Sequence, residues 1–193
     1  MAAQPSILAF AGSARRGSFN KQVLRIAARA AEQAGAKVTL IDLADYPLPL
    51  FDQDLEAASG PPENAVRLLE LFKSHDGLLI ASPEYNTSIT PLMKNTIDWV
   101  SRKIGDSPSL AAFQGKVAAL MSASPGALGG LRGLVHLRSI LGNIGVIVLP
   151  EQVAVMQAHN ALDEMGNLHD AKQQASVEKL GTRLAELLAK LRA

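Results

Sequence analysis

Short aliphatic and β-branched runs alternate along the chain with longer stretches in which apolar residues recur every three to four positions, a pattern that predicts an open α/β sheet. The predicted strands are residues 6–11 (SILAFA), 37–42 (KVTLID), 77–82 (GLLIAS), 116–123 (KVAALMSA) and 145–150 (GVIVLP). Their nearly unbroken apolar character suits parallel strands covered on both faces. After the first strand, Val23, Leu24, Ala27, Ala31 and Ala34 share one helical face, while Lys21, Arg25, Arg29 and Glu32 lie largely opposite and Gly35 follows as a stop. A second helix is predicted over residues 61–74, its prolines tolerated in a first turn, with Val66, Leu69 and Phe72, or Leu68 and Leu71, repeating along it. Thr90 and Pro91 make a cap and first-turn pair for a third helix carrying Met93, Ile97 and Val100, and residues 128–142 and 171–191 supply the fourth and fifth. Residues 43–60 and 151–170 are expected to be loops long enough to have a function of their own. The whole reads as a single domain over residues 1–193: a doubly wound, five-stranded parallel sheet with helices on both faces.

Composition narrows the function classes. With 48% hydrophobic and 19% charged residues the chain is neither disordered, collagenous nor a coiled coil. Nineteen Lys and Arg against 18 Asp and Glu give a net charge of +1, with no basic stripe for nucleic acid. Absence of cysteine removes disulfides, thiol nucleophiles, Fe–S clusters and zinc sites with Cys ligands, and suits a reducing cytoplasm. No apolar run approaches the roughly 20 residues that span a bilayer, and the first residues lack the basic start of a signal peptide, so no membrane partner is expected.

In a doubly wound sheet, ligands bind beyond the carboxyl ends of the strands where the strand order reverses, which directs attention to GSARRGSFN, PEYNTSITP and SPGALGG. The first combines two glycines, two hydroxyls, an amide and two guanidinium groups with no carboxylate, and runs into a helix whose first N–H groups carry the positive end of the macrodipole. It reads as an anion cradle in which Ser13, Ser18 and Asn20 donate hydrogen bonds and Arg15 or Arg16 folds over a phosphate. The competing explanation makes Ser18 an ordinary N-cap and leaves the arginines in solvent. Gly12 and Gly17 have the Walker spacing, but Ser18 and Phe19 stand where Lys and Ser or Thr are required, and G-x-G-x-x-G is missing. A nucleotide triphosphatase and the usual dinucleotide fold are both disfavoured.

In the second loop, Ser82-Pro83-Glu84-Tyr85-Asn86 suits either a flat heterocycle stacked on Tyr85 or an ordinary turn in which Asn86 takes unusual dihedrals. In the third, Ser122, Ser124 and Gly126 are candidate contacts, while helix packing accounts better for Gly130 and Gly133. The four histidines, at 75, 136, 159 and 169, have no metal-ligand spacing, and no metal is expected. No G-x-S-x-G elbow supports a hydrolase. Trp99 suits the core or a subunit contact equally.

Together, GSARRGSFN, PEYNTSITPLMKNTIDW and SPGALGGLRGLVHLRSILG resemble the NADPH-dependent FMN reductase family, whose fold is flavodoxin-like, the nearest look-alikes being bacterial quinone and chromate reductases. The resemblance implies that Ser13, Arg15, Ser18, Phe19 and Asn20 hold the FMN phosphate, partly through backbone N–H groups. Pro83, Glu84, Tyr85 and Asn86 would line the isoalloxazine, and Ser124 and Gly126 would close the third side. It implies NADPH or NADH as hydride donor, quinones, azo and nitro compounds or chromate as acceptors, and a homodimer or homotetramer packed through the helix of Asp98 and Trp99. No catalytic acid or base is expected, since the cofactor carries the chemistry. Two rival activities share the fold: a reductase using flavin as a diffusible substrate, and a flavodoxin-type electron carrier. Arg16, if not on FMN, is available to a 2′-phosphate.

Overall fold

The computed structural model describes residues 4–192. Strand β1 (Ser6–Ala11) leads into helix α1 (Phe19–Gln33), and β2 (Lys37–Asp42) is followed by a 3₁₀ turn, Leu43–Asp45, and helix α2 (Gln53–Ser59). Next come α3 (Glu63–Lys73), β3 (Gly77–Ala81) and a two-stranded hairpin, β4 (Glu84–Tyr85) with β5 (Ser88–Ile89). The chain continues through α4 (Pro91–Val100), β6 (Val117–Ala123), α5 (Leu131–Asn143), β7 (Ile147–Val155), the short α6 (Ala158–Ala161) and α7 (Ala171–Leu191). The main sheet is wholly parallel in the order β2-β1-β3-β6-β7. Strand order reverses between β1 and β3, as expected of the flavodoxin-like fold.

Alternate residues of each central strand enter opposite cores. Ile7, Ala9, Leu79, Ala119 and Met121 face α1 and α7, whereas Leu8, Phe10, Leu78, Ile80, Ala118 and Leu120 face α3, α4 and α5. The period of two, with both faces filled, is why these strands read as unbroken apolar runs. Gly181 lets α7 lie directly on α1, since a Cβ there would collide with the Ala27 carbonyl.

Two readings are corrected, and one left open is decided. The fifth strand does not stop at residue 150: it continues to Val155 through an irregular register between Ala118 and Leu120, opposite Pro150. β7 is an edge strand, where a bulge accommodates a proline that lacks a ladder donor. The stretch 43–60 is not loop throughout: it contains the 3₁₀ turn and α2 and forms a flap over α4. Asn95 accepts the Phe51 N–H at 2.8 Å and donates to the Pro49 carbonyl at 2.9 Å, Trp99 Nε1 donates to that same carbonyl at 2.8 Å, and Arg102 clasps Glu56. Trp99 is therefore a core residue: fully buried, with Phe51 edge-on at 5.0 Å, it is no surface anchor for a subunit contact.

At the amino end of the sheet, Asp76 accepts hydrogen bonds from the Ser6 N–H and hydroxyl and pairs with Arg192 at 2.6 Å, tying the C-terminal helix to β1. Burial works to raise the Asp76 pKa, but the Ser6 bonds and the Arg192 charge outweigh it and hold the carboxyl below its ordinary value.

Candidate functional site

The carboxyl ends of β1, β3 and β6 open into a cleft of about 280 Å³. Its first wall comes from the segment that joins β1 to α1, through Ser13, Arg15, Ser18, Phe19 and Asn20. The Gly12 N–H donates to the Ala81 carbonyl at 2.9 Å, and its carbonyl accepts the Thr90 hydroxyl at 2.7 Å. That hydroxyl also accepts the Met93 N–H as the cap of α4, so one side chain starts a helix and anchors the loop.

Ser18 occupies the N-cap position of α1 in extended conformation, yet its hydroxyl makes no cap bond. The first backbone donor to find a helical acceptor is Gln22, on Ser18. The N–H groups of Phe19, Asn20 and Lys21 therefore belong to the unsatisfied first turn and carry the positive helix end. Arg15 stands over the Phe19 ring at 5.0 Å. Arg16 is exposed and outside the cleft wall. Lys21 turns away to Asp42 at 2.5 Å, where it helps hold that carboxyl below its ordinary pKa against the effect of burial.

Asn20 has a different task from the one its residue type advertised. Its carboxamide donates to the Ala123 carbonyl at 2.7 Å and accepts the Ala123 N–H at 3.0 Å, linking the start of α1 to the end of β6. Ser122 is likewise structural: fully buried, it donates to the Gly129 carbonyl at 2.6 Å. Gly129, at φ 62°, approaches the end of β7 so closely that a Cβ would stand 2.8 Å from the Val155 carbonyl carbon. Ser124 accepts the Gly126 N–H at 3.1 Å in a local turn and remains on the cleft wall.

In the second wall, Pro83 leads into the β4–β5 hairpin, whose turn residues Asn86 and Thr87 have φ of 49° and 70°. Positive φ at both turn positions is the signature of a tight hairpin turn. Among the described residues Glu84 is the only carboxylate lining the cleft, and its charge is met by Arg132 at 2.5 Å and by the Gly133 N–H at 3.1 Å. Burial would raise its pKa, but these donors outweigh that and hold the carboxyl below the usual range. Tyr85 is 58% exposed at the mouth.

Ser13, Arg15, Ser18, Phe19, Asn20, Pro83, Glu84, Tyr85 and Ser124 thus converge on one cleft, together with Ala123 and Pro125. Asn86 sits in the hairpin turn and Gly126 in the exposed third loop, both adjacent to the wall rather than on it. Sequence reasoning missed Arg132 and Gly133 as partners of Glu84. Nothing local announces that pairing, since the residues are 48 and 49 positions apart. Among the described residues no cluster suits a metal ion, and no helix is long and apolar enough to cross a membrane.

The NADPH-dependent FMN reductase family model matches residues 5–160. An NAD(P)H-dependent FMN reductase of Pseudomonas aeruginosa is 36% identical over 174 residues, covering 90% of this chain and 89% of that protein. A quinone reductase of Escherichia coli K12 is 35% identical over 149 residues, 77% of this chain and 76% of its own. Among solved structures, a flavoenzyme NAD(P)H:(acceptor) oxidoreductase from Paracoccus denitrificans superposes with a TM-score of 0.79 at 28% identity, over 96% of this chain and 98% of that one.

Proposed function

The chain belongs to the NADPH-dependent FMN reductase family, and from that premise we propose that it holds FMN in the cleft and uses NADPH or NADH to reduce quinones. The observation that carries the reading is the start of α1: an uncapped helix end and an uncommitted Ser18 hydroxyl, with Arg15 beside them and the Glu84 carboxylate neutralised. That donor set fits a phosphate dianion.

Bound there, FMN would supply hydride acceptance from the nicotinamide and electron delivery to the second substrate. The protein's part is to bind and orient. Ser13, Ser18 and the N–H groups of Phe19 and Asn20 would hold the phosphate with Arg15 covering it, while the Asn20 carboxamide keeps the first and third loops together. The backbone of Pro83, Glu84, Tyr85 and Asn86 would line the ring, with Ser124 and Gly126 opposite. Backbone N–H groups there can meet negative charge as it develops on the ring. Exposure of Tyr85 leaves the mouth wide, which favours azo compounds, nitro compounds and chromate as further acceptors beside quinones. Leu131 and Val135, one turn apart and both exposed on α5, support a homodimer or homotetramer joined beside the cleft.

A reductase that releases flavin to a partner is the second reading, since the cleft is open on one side. Gel filtration of the FMN-loaded protein separates the two. Flavin co-eluting with protein that oxidises NADPH only when quinone is present supports the proposal; flavin lost on the column, with NADPH oxidised in proportion to added FMN, supports the alternative.

A further inference from the structure

Helix α5 begins after Gly130, which at φ 91° has no side chain with which to cap it. The acceptor comes from elsewhere in the chain: Glu84 Oε2 receives the Gly133 N–H at 3.1 Å, in the first turn of α5. Its other oxygen receives Nε of Arg132 at 2.9 Å and Nη2 at 2.5 Å. The Glu84 side chain is only 8% exposed. Both carboxylate oxygens are thus engaged by donors, which leaves Glu84 unsuited to moving a proton and well suited to holding two elements together.

The hairpin needs holding. It has two residues per strand and a turn with two non-glycine residues at positive φ, one of them the β-branched Thr87. Neither feature is self-sustaining, because so short a hairpin is not stable alone and a strained turn persists only where its surroundings fix it. The second tie, His136 Nδ1 to Ser88 Oγ at 3.0 Å, also runs to α5. We propose that Glu84 is a positioning residue: its carboxylate fastens the β4–β5 hairpin to the start of α5 and thereby sets the backbone of residues 83–86 against the flavin ring. The inference rests on the FMN reading given above. It assigns Glu84 to the support of the cleft wall, while its neighbour Tyr85 faces the mouth.

The test compares the wild type with Glu84→Ala, Glu84→Gln and Arg132→Met. FMN affinity is measured by fluorescence titration of the apoprotein, the midpoint potential on the FMN-loaded protein, and amide exchange on the apoprotein. Glu84→Ala is expected to weaken FMN binding about tenfold, the scale of one charge-assisted hydrogen bond, and to shift the potential. Exchange should quicken in residues 84–89 and the first turn of α5 and stay unchanged in β1, β3 and β6. Glu84→Gln keeps an acceptor for the Gly133 N–H and should recover most of the affinity, with Arg132→Met in between. Affinity within twofold and an unshifted potential in Glu84→Ala would overturn the proposal. So would exchange raised throughout the sheet, with affinity lost only as folded protein is lost. Failure of the wild type itself to take up FMN would remove the functional reading and this inference with it, an outcome distinct from a wild type that binds and a variant that binds equally well.

Discussion

Replacing Asn20 with Ala removes the side chain that joins the start of α1 to the end of β6, leaving the buried N–H and carbonyl of Ala123 without their partners at 3.0 and 2.7 Å. Each of the two groups costs about 1–3 kcal/mol when unsatisfied, and better helix propensity returns about 0.5 kcal/mol, so a net loss of about 1.5–5.5 kcal/mol is expected. Urea unfolding followed through the fluorescence of Trp99, the one tryptophan, should show a midpoint lower by roughly 1–2 M with an unchanged slope. Asn20→Asp sharpens the test. An ionised Asp can still accept the Ala123 N–H but sets its charge against the Ala123 carbonyl, whereas the protonated acid can accept and donate as Asn does. Only the protonated acid can donate to the Ala123 carbonyl, so this variant should be weak at pH 7 and recover relative to wild type on acidification. A loss under about 0.5 kcal/mol in Asn20→Ala, or no pH-dependent recovery in Asn20→Asp, would refute the bridging role.

Trp99, fully buried under the Pro49 flap, should emit to the blue and resist iodide quenching; ready quenching in native protein would return it to the surface. Asp76→Asn should cost about 1–3 kcal/mol at pH 7, since it weakens charge-assisted bonds with Ser6 and Arg192. Because the folded pKa of Asp76 lies below 3.8, that contribution is complete above the unfolded value and is lost as pH falls through the folded one, so the gap between wild type and variant measured by urea unfolding should close below about pH 4. Arg16→Ala, at an exposed position beside the cleft, should lower kcat/KM for NADPH about tenfold while leaving NADH unchanged; an unchanged ratio removes Arg16 from 2′-phosphate recognition.

The sheet was legible because β1, β3 and β6 are packed on both faces, and continuous burial writes itself as continuous apolar sequence. Elements with no buried face left no such trace. Helix α2 has no buried residue, so no periodicity marked it, although Asp52 caps it through the N–H groups of Asp54 and Leu55. The strand beyond Pro150 was hidden because proline usually ends a strand, and only edge position with a bulge makes it tolerable. At the site, composition identified the residues that converge but not what each side chain touches. Ser18, Asn20 and Glu84 all read as ligand contacts, with an ordinary N-cap as the competing explanation for Ser18; its hydroxyl makes no cap bond, whereas the side chains of Asn20 and Glu84 hold backbone 103 and 49 residues away. Tertiary partners at such separations have no local signature, while a loop rich in donors does.

The central claim is that the cleft at the start of α1 holds a flavin that mediates electron transfer from a nicotinamide to an acceptor. Its most direct test is the visible spectrum of purified, FMN-loaded protein under anaerobic titration with NADPH and then with a quinone. The account predicts bleaching of the flavin bands by NADPH and their return on adding quinone. A protein that binds no FMN, or whose bound flavin NADPH leaves unbleached, would contradict it.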